Sequence, residues 1–362
     1  MKQLVVMASW LAVELAVATF VVAGILGKVI SPLNHSDPIA VTTPIVAVPE
    51  SEVEVEHDNE RIENISYAAA LLALMKTDPV TTFSAYRDVL AADPSAYNDC
   101  HAVAHQLGHV AYETYGFAKA MSYQDAICGG GFIHGIVEAK FGEMDEVDLL
   151  QEIATTCDAA TDEENCVHGV GHGLMLVTYL DVDRSLSYCD LFDESVRHHC
   201  YDGVWMHVFD QEESGAAHTD TLLLNESYIQ SSQARCVATE SVYKDSCYFY
   251  LPRIFAHDAE RTFYDLVSLC GSVERIGRFA CAAGAGHSTM KYHIADPVAV
   301  YLSCEVFGDE TLITACQDGA SRYFLHASNP LTEELGSDTD TCLVLPEEGG
   351  YRESCETART RR

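Results

Sequence analysis

His101, His105 and His109 recur every four residues, a spacing that puts them on one helical face within about 80° of arc. His168 and His172 repeat the spacing, and His134 is followed four residues on by Glu138. His105-Gln-Leu-Gly108-His109 aligns with His168-Gly-Val-Gly171-His172, which marks equivalent places in different structural units. Stacked units would bring His105, His109, His134, Glu138, His168 and His172 onto one wall. Imidazole suits zinc, copper and iron, and a carboxylate beside it leans toward zinc or iron. The set is a candidate site for one or two transition ions. In a metal-assisted hydrolase, Glu138 would be the general base to a metal-activated water. The competing reading makes the same histidines hydrogen-bonding residues inside the stack, each donating to a neighbouring carbonyl or hydroxyl.

The units that would position these residues are marked by cysteine. The chain has 14, at Cys100, Cys128, Cys157, Cys166, Cys189, Cys200, Cys236, Cys247, Cys270, Cys281, Cys304, Cys316, Cys342 and Cys355. From Cys157 onward they form close pairs 9, 11, 11, 11, 12 and 13 residues apart. The second members recur after 34, 47, 34, 35 and 39 residues. A period near 34 is that of a helix-turn-helix repeat; the 47-residue interval holds an insertion around Gln211 to Thr221. A motif follows the second cysteine, as in Cys166-Val-His-Gly-Val-Gly-His172 and Cys281-Ala-Ala-Gly-Ala-Gly-His287, and Cys128-Gly-Gly-Gly-Phe-Ile-His134 fits the same frame.

Each motif is read as opening a helix, as in Val170 to Leu180 or Ile133 to Phe141. A second helix then ends near the next first-of-pair cysteine, as in Asp258 to Cys270 or Asp296 to Cys304, with Asp and Pro as entry signals. The expected fold is all-α, a right-handed solenoid of αα-hairpins of about 34 residues stapled by disulfides. Each local pair ties one hairpin to the next, and Cys100 pairs with Cys128 by elimination. Gly131, Gly169, Gly203, Gly284 and Gly319, three residues beyond the repeat cysteines, predict places where helix backbones approach closely. Six residues beyond them the column is polar, and with His207 beside Met206 it offers His207, Arg253, His287 and Arg322 as a ligand groove.

This architecture resembles the secreted, cysteine-rich bacterial repeat proteins related to the tetratricopeptide class, over about residues 66 to 357. The resemblance implies an extended superhelix whose concave face binds a partner.

Leu4 to Leu26 is nearly continuous apolar sequence interrupted by Glu14, long enough for a membrane-spanning signal anchor, with a cleaved signal ending near Ala23 as the alternative. The expected organisation is an anchor over 1–28, an acidic Pro/Thr-rich stalk over 29–63, the cysteine-rich domain over 64–357 and a basic tail over 358–362. The repeat domain would then lie outside the cytoplasm, tethered to a membrane, where disulfides form.

With 55 Asp and Glu against 21 Lys and Arg, the formal charge is −34, which argues against nucleic acid as a partner. A hydrophobic content of 48% excludes an acidic disordered tail. The sequence carries no Gly-x-Ser-x-Gly elbow, phosphate-binding loop, dinucleotide fingerprint or EF-hand loop. Three readings remain: a tethered scaffold binding a protein or ligand on its concave face, a histidine-rich transition-metal protein, and a metal-assisted hydrolase.

Overall fold

The computed structural model describes residues 67–144, 146–158, 160–209, 226–255, 261–294, 296–326, 342, 345–346 and 350–360. The chain divides into Met1–Val53, wholly outside these residues, and Glu54–Arg362. The proposed insertion around Gln211 to Thr221 and the stalk also lie outside them.

Every regular element among the described residues is helical. A helix over 67–75 (α1) leads into Pro79–Ala92 (α2), Cys100–Tyr115 (α3), Phe117–Met121 (α4) and Gly131–Gly142 (α5). Then come Glu146–Glu152 (α6), Glu163–Val177 (α7), Val182–Cys189 (α8), Arg197–Phe209 (α9), Glu226–Ala238 (α10) and Lys244–Tyr250 (α11). Phe263–Ser272 (α12), Arg278–Tyr292 (α13), Pro297–Cys304 (α14), Glu310–His326 (α15) and Tyr351–Thr360 (α16) complete the series.

Acidic residues set many of the helix starts. Asp78, Asp162, Asp181 and Asp296 each accept a backbone N–H in the first turn of α2, α7, α8 and α14, and Thr262 with Asp265 forms a capping box at α12. Part of the acidity is thus a helix-entry device. The inner helices begin earlier than the motif suggests: α7 starts at Glu163, three residues before Cys166, so the cysteine sits inside the first turn.

Odd-numbered helices from α3 to α15 pack successively against one another as an inner layer, and the even-numbered ones return the chain outside it. The six close pairs form the disulfides their spacing predicts, Cys157–Cys166, Cys189–Cys200, Cys236–Cys247, Cys270–Cys281, Cys304–Cys316 and Cys342–Cys355, and Cys100 bonds Cys128, the pair expected by elimination. Four of them join the C-terminal end of an outer helix to the first turns of the next inner one: α8 to α9, α10 to α11, α12 to α13 and α14 to α15. No cysteine among the described residues is free. Such a set suits an oxidising, extracytoplasmic environment.

Neighbouring inner helices touch backbone to backbone. A Cβ at Gly203 would overlap the His168 carbonyl oxygen, and one at Gly284 the Phe249 carbonyl oxygen. The other members of the glycine column, Gly131, Gly169 and Gly319, also meet the preceding inner helix. Gly284→Ala is accordingly expected to destabilise the oxidised protein by at least the about 1–3 kcal/mol typical of overpacking. Gly142→Ala, with nothing within 4 Å of its added methyl group, should be near neutral. Urea denaturation of the two variants measures the contrast.

The array is bent more tightly than the expected open superhelix, with close backbone approach between inner helices. The inner layer curls until its ends meet: α13 packs against the turn Pro94–Asn98, and a Cβ at Gly129 would lie 3.8 Å from the Tyr323 ring. The concave face is therefore the interior of a ring.

The expected membrane-spanning helix also needs correction. No helix among the described residues is long and apolar enough to cross a membrane. The longest of them, α15, has 17 residues, where a span needs about 20 largely apolar ones. The fold described is all-α without a spanning element, and the anchor segment 1–28 lies outside the described residues. At the other end, α16 runs on through Ala358 to Thr360, into the stretch expected to be a basic tail.

Candidate metal centre

The interior of the ring is lined by histidine from four successive inner helices. His101, His105 and His109 come from α3, His134 and Glu138 from α5, His168 and His172 from α7, and His207 from α9. All are buried except His109, whose side chain is 42% exposed. The rings form a chain of close contacts. His101 and His105 lie 4.8 Å apart, His134 is 5.2 Å from each of them, His168 is 4.8 Å from His134, and His207 is 5.8 Å from His172.

A turn of three consecutive left-handed residues, Cys128, Gly129 and Gly130, precedes α5. Glycine takes this conformation without penalty, whereas Cys128 is held in it against its preference. Within this turn the Cys128 carbonyl oxygen lies 2.6 Å from His101 Nδ1. Glu138 Oε2 lies 3.1 Å from His105 Nδ1 and 3.0 Å from His109 Nε2.

These contacts fix the tautomers. A carbonyl and an ionised carboxylate only accept, so both Nδ1 atoms must donate. The two Nε2 atoms nevertheless face each other at 3.1 Å. Two lone pairs repel at that distance, and either a proton shared by the two nitrogens or a metal ion between them would remove the repulsion. Two nitrogens bound to one tetrahedral zinc at 2.0–2.1 Å would lie about 3.3 Å apart, close to the separation found. A ligand histidine whose other nitrogen donates to a carbonyl or carboxylate is the usual metal-site arrangement.

Burial, followed by repulsion from neighbouring histidines, pushes His101, His134, His168 and His172 well below their ordinary value of 6.5. They are neutral at pH 7, the form that binds metal. Burial would raise Glu138, but the charge and hydrogen bond of His105 and the hydrogen bond of His109 hold it below the ordinary carboxylate range. His134 feels the Asn165 side chain, yet neither of its ring nitrogens makes a hydrogen bond of ordinary geometry.

These shifts predict how metal-free protein responds to acid. Below about pH 6.5 the unfolded chain takes up protons on the four histidines while the folded chain resists, so stability falls as pH drops. Glu138 adds a further loss below about 4.5, its ordinary value, for the same reason. The melting temperature should therefore be lower at pH 5 than at pH 7.5 and lower again at pH 4. A melting temperature that rises on acidification would contradict this electrostatic picture.

Three groups bring ligand atoms within 4.8 Å of one another: His101, His105 and His134; His134, His168 and His172; and Glu138, His172 and His207. No family model, curated protein or solved structure matches this chain. Every cysteine among the described residues is in a disulfide, so the donors on offer there are imidazole and carboxylate. That set fits zinc, copper or iron.

Of the wall expected from the sequence, His105, His134, Glu138, His168 and His172 each belong to at least one of these groups. His109 belongs to none and instead holds Glu138 from the rim. Two members were not assigned to the wall by sequence reasoning. His101 continues the four-residue spacing of His105 and His109, a signal that was present. His207 was placed in the groove, and only the packing of α9 beside α7 brings it to His172.

Of the remaining groove residues, Arg253 is buried with its guanidinium 5.2 Å from the Tyr250 ring, His287 lies 6.4 Å from the same ring and packs against Phe249 and Tyr323, and Arg322 pairs with Asp318 at 3.1 Å. Glu138, engaged by two histidines, is better placed as a ligand or ligand-holder than as a general base. Sequence patterning also gave no sign of Lys291, which is buried in the interior and acts on His101 electrostatically.

Proposed function

We propose that the protein is an extracytoplasmic transition-metal-binding protein whose disulfide-stapled helical ring holds zinc or copper through His101, His105 and His134. The observation that carries this reading is the His101 Nε2 to His105 Nε2 approach of 3.1 Å, with both Nδ1 atoms committed to acceptors. Burial supports it, because it keeps His101 and His134 in the neutral, ligating form. Three protein ligands leave a fourth position on a tetrahedral ion, and an ion there would act as a Lewis acid toward whatever occupies it. The residues themselves orient the ligands: Cys128 fixes His101, Glu138 fixes His105, and His109 steadies Glu138 from the rim.

The same interior weakens the reading of the concave face as a docking groove. His207 is 2% exposed and Arg253 3%, so a macromolecule could meet them only by opening the ring.

Elemental analysis of the oxidised protein, purified without chelator and then dialysed against zinc or copper(II), tests the proposal. At least one ion per chain is expected to survive exhaustive dialysis. Protein that folds, carries its disulfides and retains neither metal would overturn it.

A further inference from the structure

We propose that the interior takes a second ion, bound by Glu138, His172 and His207, so that the centre is dinuclear with Glu138 linking its two halves. This rests on the reading of His101, His105 and His134 as the first site. Of the three candidate groups, the one made by His134, His168 and His172 shares a residue with each of the others. The remaining two share none, so only they can be filled together.

Glu138 has the geometry of a link. Its Oε2 accepts from His105 and His109, while its Oε1 is buried, makes no hydrogen bond and lies 3.7 Å from His172 Nδ1. A buried carboxylate oxygen without a partner is costly, and a cation beside it removes the cost. The glycine crossing between α7 and α9, where Gly171 and Gly203 bring the two backbones together, places His207 within reach of the same point. Its ring stands at 61° to that of His172. Glu138 thus orients a ligand of the first ion through one oxygen and ligates the second through the other. The donor sets also differ. Three neutral imidazoles suit copper, whereas two imidazoles and a carboxylate suit a harder ion such as iron(II), cobalt(II) or zinc.

The test is a count of cobalt(II) bound to the full-length oxidised protein, read by elemental analysis and visible absorption. The wild type should bind two ions per chain. His207→Ala and His101→Ala should each bind one, with different absorption spectra because different sites survive. A wild type that binds one ion, unchanged by His207→Ala, would overturn the second site while leaving the first standing. A wild type that binds none would fail the first reading as well. Should either variant melt early by circular dichroism, electron paramagnetic resonance of copper(II)-loaded wild type decides the matter. Two ions in this interior must show dipolar broadening, and two isolated signals would refute the dinuclear centre.

Discussion

His105→Ala is expected to lower zinc affinity by more than the about 10–100-fold typical of losing a residue that only orients a ligand. It removes a ligand and also leaves the Glu138 carboxylate, buried and ionised, without its main partner. Glu138→Gln separates the two contributions. The amide oxygen can still accept from His105, but without the charge that raises the basicity of the imidazole, so a loss of about 10–100-fold is expected. His293→Ala, exposed and away from the interior, should leave affinity unchanged. Titration against a competing chelator ranks the three. If His105→Ala bound zinc as the wild type does, His105 would not be a ligand.

Full reduction is expected to unfold the protein at room temperature, with far-ultraviolet circular dichroism collapsing together with metal retention. Six of the seven bridges close loops of 9 to 13 residues. The chain-entropy model gives about 2–3 kcal/mol for each such loop. Against a net stability of about 5–15 kcal/mol for a typical domain, losing all of them removes the margin. The bridges at the starts of inner helices also hold the site: Cys100 opens α3, and its partner Cys128 supplies the carbonyl that orients His101. Removing this one bridge, as Cys100→Ala/Cys128→Ala, should weaken metal binding more than removing Cys342–Cys355 at the far end. Similar affinities for the two variants would mean that the turn before α5 keeps its shape without the disulfide.

The cysteine spacing made the pairing and the alternation of helices legible, because a close pair can only bridge elements adjacent in chain and space. The glycine column was legible for a similar reason, since its recurrence with the repeat implies contact between equivalent helices. The curvature was not. It depends on how successive helices are rotated against one another, and no single residue signals that α13 returns to the turn Pro94–Asn98.

Ring closure also explains the misplaced groove. A column read as facing an open concavity faces a closed interior, where His207, one residue off that column, joins the histidines while Arg322, on it, turns to Asp318. His134 and Glu138 were legible as a pair four residues apart. That Glu138 would accept from both His105 and His109 depended on the rotation of α5 against α3, which sequence periodicity leaves undetermined.

The most direct test is anomalous diffraction at the zinc edge from crystals of the oxidised protein grown with zinc. An ion is expected between the Nε2 atoms of His101 and His105, about 2.0–2.1 Å from each, with a nitrogen of His134 as third ligand. An ion bound only by surface carboxylates, with the two Nε2 atoms still sharing a proton, would contradict it.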